Sequence, residues 1–288
     1  MKISSFAKCE ELINSQTMSV LTRIFHPLWV LLIYLPLAVV SLAVAVFGVV
    51  LLTPFFGRSR TYRWCAVNWA RLLVALLPMK IEVVGEWPRG ILRDFAAPEL
   101  ASKSTADLAA ASAASAKPYV VVANHQSQFD IPVLLKVLGL DLCWVMKQEI
   151  KLIPLVGIGA TMLGNIAIDR KNGEKARSQI AAAIQKMSGD VGLMFFPEGT
   201  RSRDVPLLPY KSGAFRIAIQ QQMPILPVTI VGTRNINPAG TFWLRPGCVK
   251  VMVHPPIRTE GLDERHVGDV QKQVREWTLA QVERFESR

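Results

Sequence analysis

From residue 24 to residue 57 the chain has no Asp, Glu, Lys or Arg. A run so long and so apolar must be withdrawn from water by lipid or by other protein. As one straight helix it would extend about 50 Å, against a bilayer hydrocarbon core of about 30 Å, so it is not one upright span used throughout. Pro27, Pro36 and Pro54 are places where a helix would begin, kink or stop. Ala43-Val44-Ala45 resembles a signal-peptide cleavage site, but the apolar run continues past it to Leu52, which argues against a cleaved leader. Two alternatives stand: the segment spans the bilayer, or it re-enters on one face. Positive charge is denser after the run (Arg58, Arg60, Arg63, Arg71) than before it (Lys2, Lys8, Arg23), which favours a cytoplasmic position for the domain on its carboxyl side. Residues 61–77 make an amphipathic helix carrying Trp64, Trp69, Leu72, Leu73 and Leu76. It lies either at the headgroup boundary or packed on a soluble domain.

The apolar residues, 51% of the 288, are concentrated before residue 80. A formal net charge of +11 calls for an anionic partner. No nucleic-acid-binding motif is present, so beside a membrane segment the expected partners are anionic headgroups and phosphorylated lipids. Cys9, Cys65, Cys143 and Cys248 form no C-x-x-C pair and read as isolated reduced thiols.

Beyond residue 80 strand-like and helix-like runs alternate. Short apolar runs at 80–85, 119–123, 143–146, 166–168, 193–196, 225–231 and 249–253 are separated by helical patterns at 131–138, 173–187 and 213–221, with a last one at 263–285. This predicts an α/β fold with a central, mostly parallel sheet flanked by helices, preceded by an N-terminal hydrophobic, membrane-associated helical segment. The organisation expected is an anchoring segment at 1–79 and an α/β domain at 80–288, with an Ala/Ser-rich surface insertion at 89–117. In such sheets the working residues collect at the carboxyl ends of strands.

Asn124-His125-Gln126-Ser127-Gln128-Phe129-Asp130 comes directly after the 119–123 strand. Asp130 has an ordinary reading as a helix N-cap, and His125 as a loop histidine. A five-residue spacing does not put two side chains on one helix face, but a loop that curls brings them together. The carboxylate then accepts from one imidazole nitrogen, fixes the tautomer and leaves the other nitrogen as a base. No Gly-x-Ser-x-Gly elbow exists and Ser127 lies only two residues beyond His125, so a substrate hydroxyl is the better nucleophile. Phe196-Pro197-Glu198-Gly199-Thr200-Arg201-Ser202 ends another strand. Gly199 lets the backbone approach a ligand, and Arg201 offers a fork of donors suited to phosphate; the plain alternative is a turn with a surface arginine. Gly164-Asn165-Ile166-Ala167-Ile168-Asp169-Arg170 is a third block, and Lys147, Lys151 and Lys211 stand after strands or beside turns. Gly157-Ile158-Gly159 begins like a dinucleotide fingerprint, but Met162 replaces its third glycine, and no Gly-Lys-Ser/Thr phosphate loop occurs. With only His26, His125, His254 and His266 and no H-E-x-x-H, no metal site is expected.

In this order, and with Ile225-Leu226-Pro227-Val228 after them, the blocks resemble the glycerolipid acyltransferase family, and within it the 1-acylglycerol-3-phosphate acyltransferases. The resemblance covers about residues 118–260 and the hydrophobic N-terminal segment. The chain departs from the family at Ala167, where a larger, often aromatic residue is usual, and in the length of the 89–117 insertion. The resemblance implies transfer of a fatty acyl group from acyl-CoA or acyl-carrier protein to the sn-2 hydroxyl of 1-acylglycerol 3-phosphate, giving phosphatidic acid. It implies His125 as base and Asp130 as its orienting partner. Lys147, Arg170 and Arg201 would hold the acceptor's phosphate, Glu198, Gly199 and Thr200 would shape its pocket, and Pro227 would sit near the acyl site. It further implies no resident cofactor, the thioester being a co-substrate, and a bacterial inner membrane with the catalytic domain on the cytoplasmic side. Three other readings stand beside it: the same chemistry on glycerol 3-phosphate, another lysophospholipid or a lyso-amino lipid; a non-catalytic membrane lipid-binding protein; or a thioester or lipid hydrolase.

Overall fold

The structure, a computed structural model, describes residues 28, 31–32, 35–76, 79–85, 118–153, 156–169, 173–187, 191–202, 205–238, 240, 244–245 and 247–286. The 89–117 insertion lies outside these residues. Seven strands form one sheet: β1 (Met79–Val84), β2 (Tyr119–Ala123), β3 (Asp141–Lys147), β4 (Ile166–Ile168), β5 (Val191–Phe195), β6 (Ile225–Val231) and β7 (Gly247–Val253). Their spatial order is β1-β7-β6-β2-β5-β3-β4. Every neighbouring pair is parallel except β6 and β7, so the mostly parallel sheet expected from the alternation is the one that forms.

The helices are α1 (Leu35–Phe56), α2 (Arg58–Tyr62), α3 (Asn68–Leu76), α4 (Asp130–Leu138), α5 (Val156–Met162), α6 (Gly173–Ile184), α7 (Gly213–Gln220), α8 (Thr233–Ile236) and α9 (Val267–Glu286). A single π-helical turn, Arg63–Val67, joins α2 to α3. Strand β2 sits at the centre and is buried along its whole length. Because successive side chains point to opposite faces, Val121 and Ala123 join one core with Leu134 and Leu138 of α4 and with Tyr62, Ala66 and Ala70. Val120 and Val122 join another with Ile180, Phe215, Val270 and Val274 of α6, α7 and α9. Burial on both faces is why β2 reads as an unbroken apolar run.

The N-terminal helices are part of this architecture. Helix α1 is long and apolar enough to cross a membrane by length and composition. Its Val46 and Val49 are buried, while Val39, Val40, Val44, Phe47, Leu51, Phe55 and Phe56 are exposed. Pro54 lies in its last turn, and just beyond the helix Gly57 takes a left-handed backbone (φ 73°), which reverses the chain at no steric cost. Arg58, one of the charges used above to orient the segment, turns inward: its Nε donates to the Leu163 carbonyl (2.6 Å) and its guanidinium pairs with Asp141 at 3.2 Å. Of the two alternatives for residues 61–77, packing on the domain is realised, since Tyr62, Cys65, Ala66, Ala70 and Val74 are in the core. Trp64, 68% exposed, and Leu72 remain on an open flank. Cys65 and Cys143 are free and buried, and Cys9 lies outside the described residues.

Candidate active site

The loop after β2 curls. Its first residue, Asn124, uses its side chain as a strand partner: Nδ2 donates to the Ile230 carbonyl and Oδ1 accepts from the Ile230 N–H, both at 2.8 Å. That pins the loop to β6. Asp130 is the first residue of α4, and the cap position falls on Phe129, so the N-cap reading does not hold. Instead its fully buried carboxylate folds back over the loop. Oδ2 lies 2.8 Å from His125 Nδ1 and accepts from the N–H groups of Gln126 (2.7 Å) and Ser127 (2.9 Å). Oδ1 accepts from the Thr233 hydroxyl at 2.6 Å. An acceptor-only group facing Nδ1 places the proton there and leaves the Nε2 lone pair for chemistry. The imidazole also stacks on Phe196, with centroids 3.9 Å apart and planes 10° from parallel. Its plane and tautomer are therefore both fixed.

Ser127 is no nucleophile in this arrangement. Its hydroxyl is buried and donates to the Asn237 carbonyl at 2.8 Å.

The second loop, after β5, is clasped to the first. Glu198 Oε1 accepts from the His125 N–H (2.6 Å) and Oε2 from the Leu208 N–H (2.8 Å), while the Ser202 N–H donates to the His125 carbonyl at 2.9 Å. Burial holds the Glu198 carboxyl above its ordinary range, and the two N–H bonds offset only part of that push. Glu198 thus holds the two loops together with its carboxylate on backbone groups. Gly199, at φ 73°, makes the turn that carries Thr200 and Arg201, with the Lys211 ammonium packed against its α-carbon.

A cavity of about 530 Å³ opens beside His125, within the usual range for a ligand pocket. Gly199, Thr200, Arg201 and Lys147 line its polar end together with His125. Its apolar length runs between Val46 and Val49 of α1, Trp69 of α3, Leu135 of α4 and Gly159 of α5. Lys147, at the end of β3, shares its charge with Glu149 at 3.0 Å, both side chains about half exposed. Of the residues singled out by sequence, His125, Asp130, Lys147, Glu198, Gly199, Thr200 and Arg201 therefore meet at the carboxyl ends of β2, β3 and β5. Arg170 lies outside the described residues. Pro227 sits inside β6, paired with Val122, and is not among the cavity's walls. Sequence reasoning gave no role to Phe196, Thr233 or Asn124, although two of them lie within the blocks it singled out. No group of acidic, histidine or cysteine side chains among the described residues has the makings of a metal site.

Residues 105–231 match the acyltransferase family model. Curated relatives include the chloroplastic 1-acyl-sn-glycerol-3-phosphate acyltransferase BAT2 of Brassica napus, 38% identical over 49% of this chain and 41% of that protein. The alpha form of the same enzyme from Mus musculus is 35% identical over 55% of this chain and 56% of its own length. The Saccharomyces cerevisiae enzyme of that name is 27% identical over 90% of this chain and 78% of its own. The chain spans about half the length of the first two. Among solved structures, the 1-acyl-sn-glycerophosphate (LPA) acyltransferase of Thermotoga maritima superposes with a TM-score of 0.69 at 23% identity, covering 92% of this chain and 98% of that one. The chain thus shares that structure's fold. The His125 and Glu198 loops both fall inside the family match.

Proposed function

We propose that the chain is a membrane-associated acyltransferase that moves a fatty acyl group from an acyl thioester, acyl-CoA or acyl-carrier protein, to the sn-2 hydroxyl of 1-acylglycerol 3-phosphate, giving phosphatidic acid. One observation carries the reading: an oriented imidazole and a guanidinium open into the same, mostly apolar, cavity. The apolar length suits an acyl chain, and Arg201 with Lys147 suits a phosphate at the polar end. The names of the relatives describe the same acceptor.

His125 Nε2 takes the proton from the acceptor hydroxyl as its oxygen attacks the thioester carbonyl, and Asp130 steadies the imidazolium that forms. The C–S bond then breaks and the sulfur leaves as thiolate, which takes up a proton from the imidazolium or from water. A thiol of pKa near about 8.5 needs little assistance to leave, so one base suffices. The N–H groups of His125, Gln126 and Ser127 are committed to Glu198 and Asp130, which leaves the oxyanion's donors to the Thr200–Arg201 side of the glycine turn. Holding the phosphate there contributes through orientation of the hydroxyl.

The membrane side is argued from the exposed apolar residues. The outer flank of α1, Trp64, Leu152 (81% exposed) and Ile153 just before α5, and Ile158 on α5 offer exposed apolar side chains suited to the acyl and headgroup layers of one leaflet. Helix α1 contributes the cavity wall with its inner flank, so a lipid acceptor enters beside it. A cytoplasmic-face location is part of this proposal.

The test is a panel of labelled acyl-CoA with 1-acylglycerol 3-phosphate, glycerol 3-phosphate, other lysophospholipids and a lyso-amino lipid, run on the wild type and His125→Ala in parallel. Transfer to 1-acylglycerol 3-phosphate that collapses in the folded variant supports the reading. Preference for another acceptor reassigns the substrate, free fatty acid without acceptor points to hydrolysis, and an equally active His125→Ala ends the proposal.

A further inference from the structure

The turn from Gly232 to Asn237, beyond the last of the four sequence blocks, touches both catalytic loops at once. Thr233 is fully buried, and its hydroxyl donates to Asp130 Oδ1 at 2.6 Å. The next residue, Arg234, donates through one guanidinium nitrogen to the Ser202 hydroxyl (3.0 Å) and to the carbonyls of Val205 (2.7 Å) and Pro206 (3.2 Å). Asn237, also buried, accepts the Ser127 hydroxyl on its carbonyl at 2.8 Å. Three residues of one short turn therefore hold the acid of the His–Asp pair, the floor of the His125 loop and the far end of the Arg201 loop. The turn itself has little freedom. Gly232 stands at φ 98°, and a side chain there would collide with the Cys248 carbonyl of β7.

We infer that the 232–237 turn is a brace that sets the two loops in register, and that Thr233 is a positioning residue acting on His125 through Asp130. Asp130 has two oxygens and four donors. Three of them crowd Oδ2; among the described residues Thr233 is the one that engages Oδ1. Without that hydroxyl the carboxylate can swing about its Cβ–Cγ bond, and the angle it presents to His125 Nδ1 is no longer fixed. The imidazole then spends less time with Nε2 aimed at the acceptor hydroxyl. Thr233 reaches the substrate only through Asp130 and His125, so its removal affects turnover and leaves acceptor affinity alone. A merely structural threonine would instead move both together, or neither.

The inference rests on the acyl-transfer reading for its kinetic arm and is independent of it in a second arm. Thr233→Val keeps the shape and removes the hydroxyl; Thr233→Ser restores it. With acyl-CoA and 1-acylglycerol 3-phosphate, kcat of Thr233→Val is expected to fall about tenfold or more, with acceptor KM within about twofold, and Thr233→Ser is expected to stay within about threefold of wild type. The second arm uses diethyl pyrocarbonate, which attacks the free imidazole lone pair, with peptide mapping of His125, whose side chain is 17% exposed. Its modification is expected to slow about threefold in Thr233→Val and not in Thr233→Ser, because Asp130 keeps the proton on Nδ1. An inactive wild type counts against the functional reading alone, and the chemical arm still decides the brace. Equal modification rates in wild type and Thr233→Val, or a serine variant as impaired as the valine one, overturn it.

Discussion

Replacing Asp130 by Asn separates charge from shape at the centre of the site. The amide oxygen can take the place of Oδ2, which already accepts from His125 Nδ1 at 2.8 Å, Gln126 N at 2.7 Å and Ser127 N at 2.9 Å. The amide nitrogen then falls where Oδ1 stood, 2.6 Å from the Thr233 hydroxyl, and a hydroxyl that donates to a carboxylate can turn and accept from an amide. Every backbone bond survives, so the loop keeps its curl. The charge that stabilises the imidazolium is lost, and its charge-assisted bonds become neutral ones, a stability cost of about 1–2 kcal/mol. A base held in the right tautomer contributes roughly 10²–10⁴ to turnover. Asp130→Asn is therefore expected to lower kcat about a thousandfold, near ~4 kcal/mol of transition-state stabilisation, with acceptor KM little changed. Thiol release from acyl-CoA gives the rate, and thermal unfolding gives the stability. A folded Asp130→Asn protein retaining more than about a tenth of wild-type kcat would refute the role assigned to the carboxylate.

Other parts of the molecule carry three further expectations. Arg201→Ala should raise the acceptor's KM about tenfold or more while kcat changes less, if the guanidinium holds the phosphate in the ground state; titrating acceptor at saturating acyl-CoA reads it. Gly159 lines the cavity, and a Cβ there would meet the Val46 methyls at 3.2–3.3 Å, so Gly159→Ala should narrow the apolar length and shift the preference among acyl-CoA donors toward shorter chains, with no change if that end of the cavity holds no chain. Burial lowers the His254 pKa from 6.5 to about 4; as pH falls through that window the unfolded chain takes up a proton that the folded chain refuses. The sign is therefore a loss of stability on acidification, at most about 3 kcal/mol, and His254→Asn should flatten that slope in denaturant melts between pH 7 and pH 4.5.

The sheet was legible because its strands obey simple rules. β2, β4 and β6 have the bounds that their apolar runs predict, and β2 and β6, buried at every position, read as near-continuous apolar runs because both faces are covered. The His–Asp pair was legible for a different reason. Two polar residues between a buried strand and a buried helix have few places to go, and a curled loop satisfies both. Thr233 was not legible, because a lone threonine after a strand carries no signal until the fold brings β6 beside β2 and sets its hydroxyl on a carboxylate 103 positions away. The place of Arg58 was not legible for a related reason. One of the charges that follow the apolar run, it is drawn inward by Asp141, a partner 83 positions on.

Helix α1 marks the point where sequence patterning stops carrying information. Its residues are apolar on every side, so no periodicity marks which flank meets protein and which meets lipid. Space decides instead. Gly159 on α5 and Gly48 on α1 itself lack side chains where the helices meet, against Val46 and the Cys65 sulfur respectively. Those two gaps let one flank of α1 close onto the domain and become a wall of the cavity. The opposite flank is left with Val40, Val44, Phe47 and Leu51, which no described residue covers. The same helix that lines the cavity therefore leaves an apolar flank open, and that flank is the one the proposed function assigns to lipid.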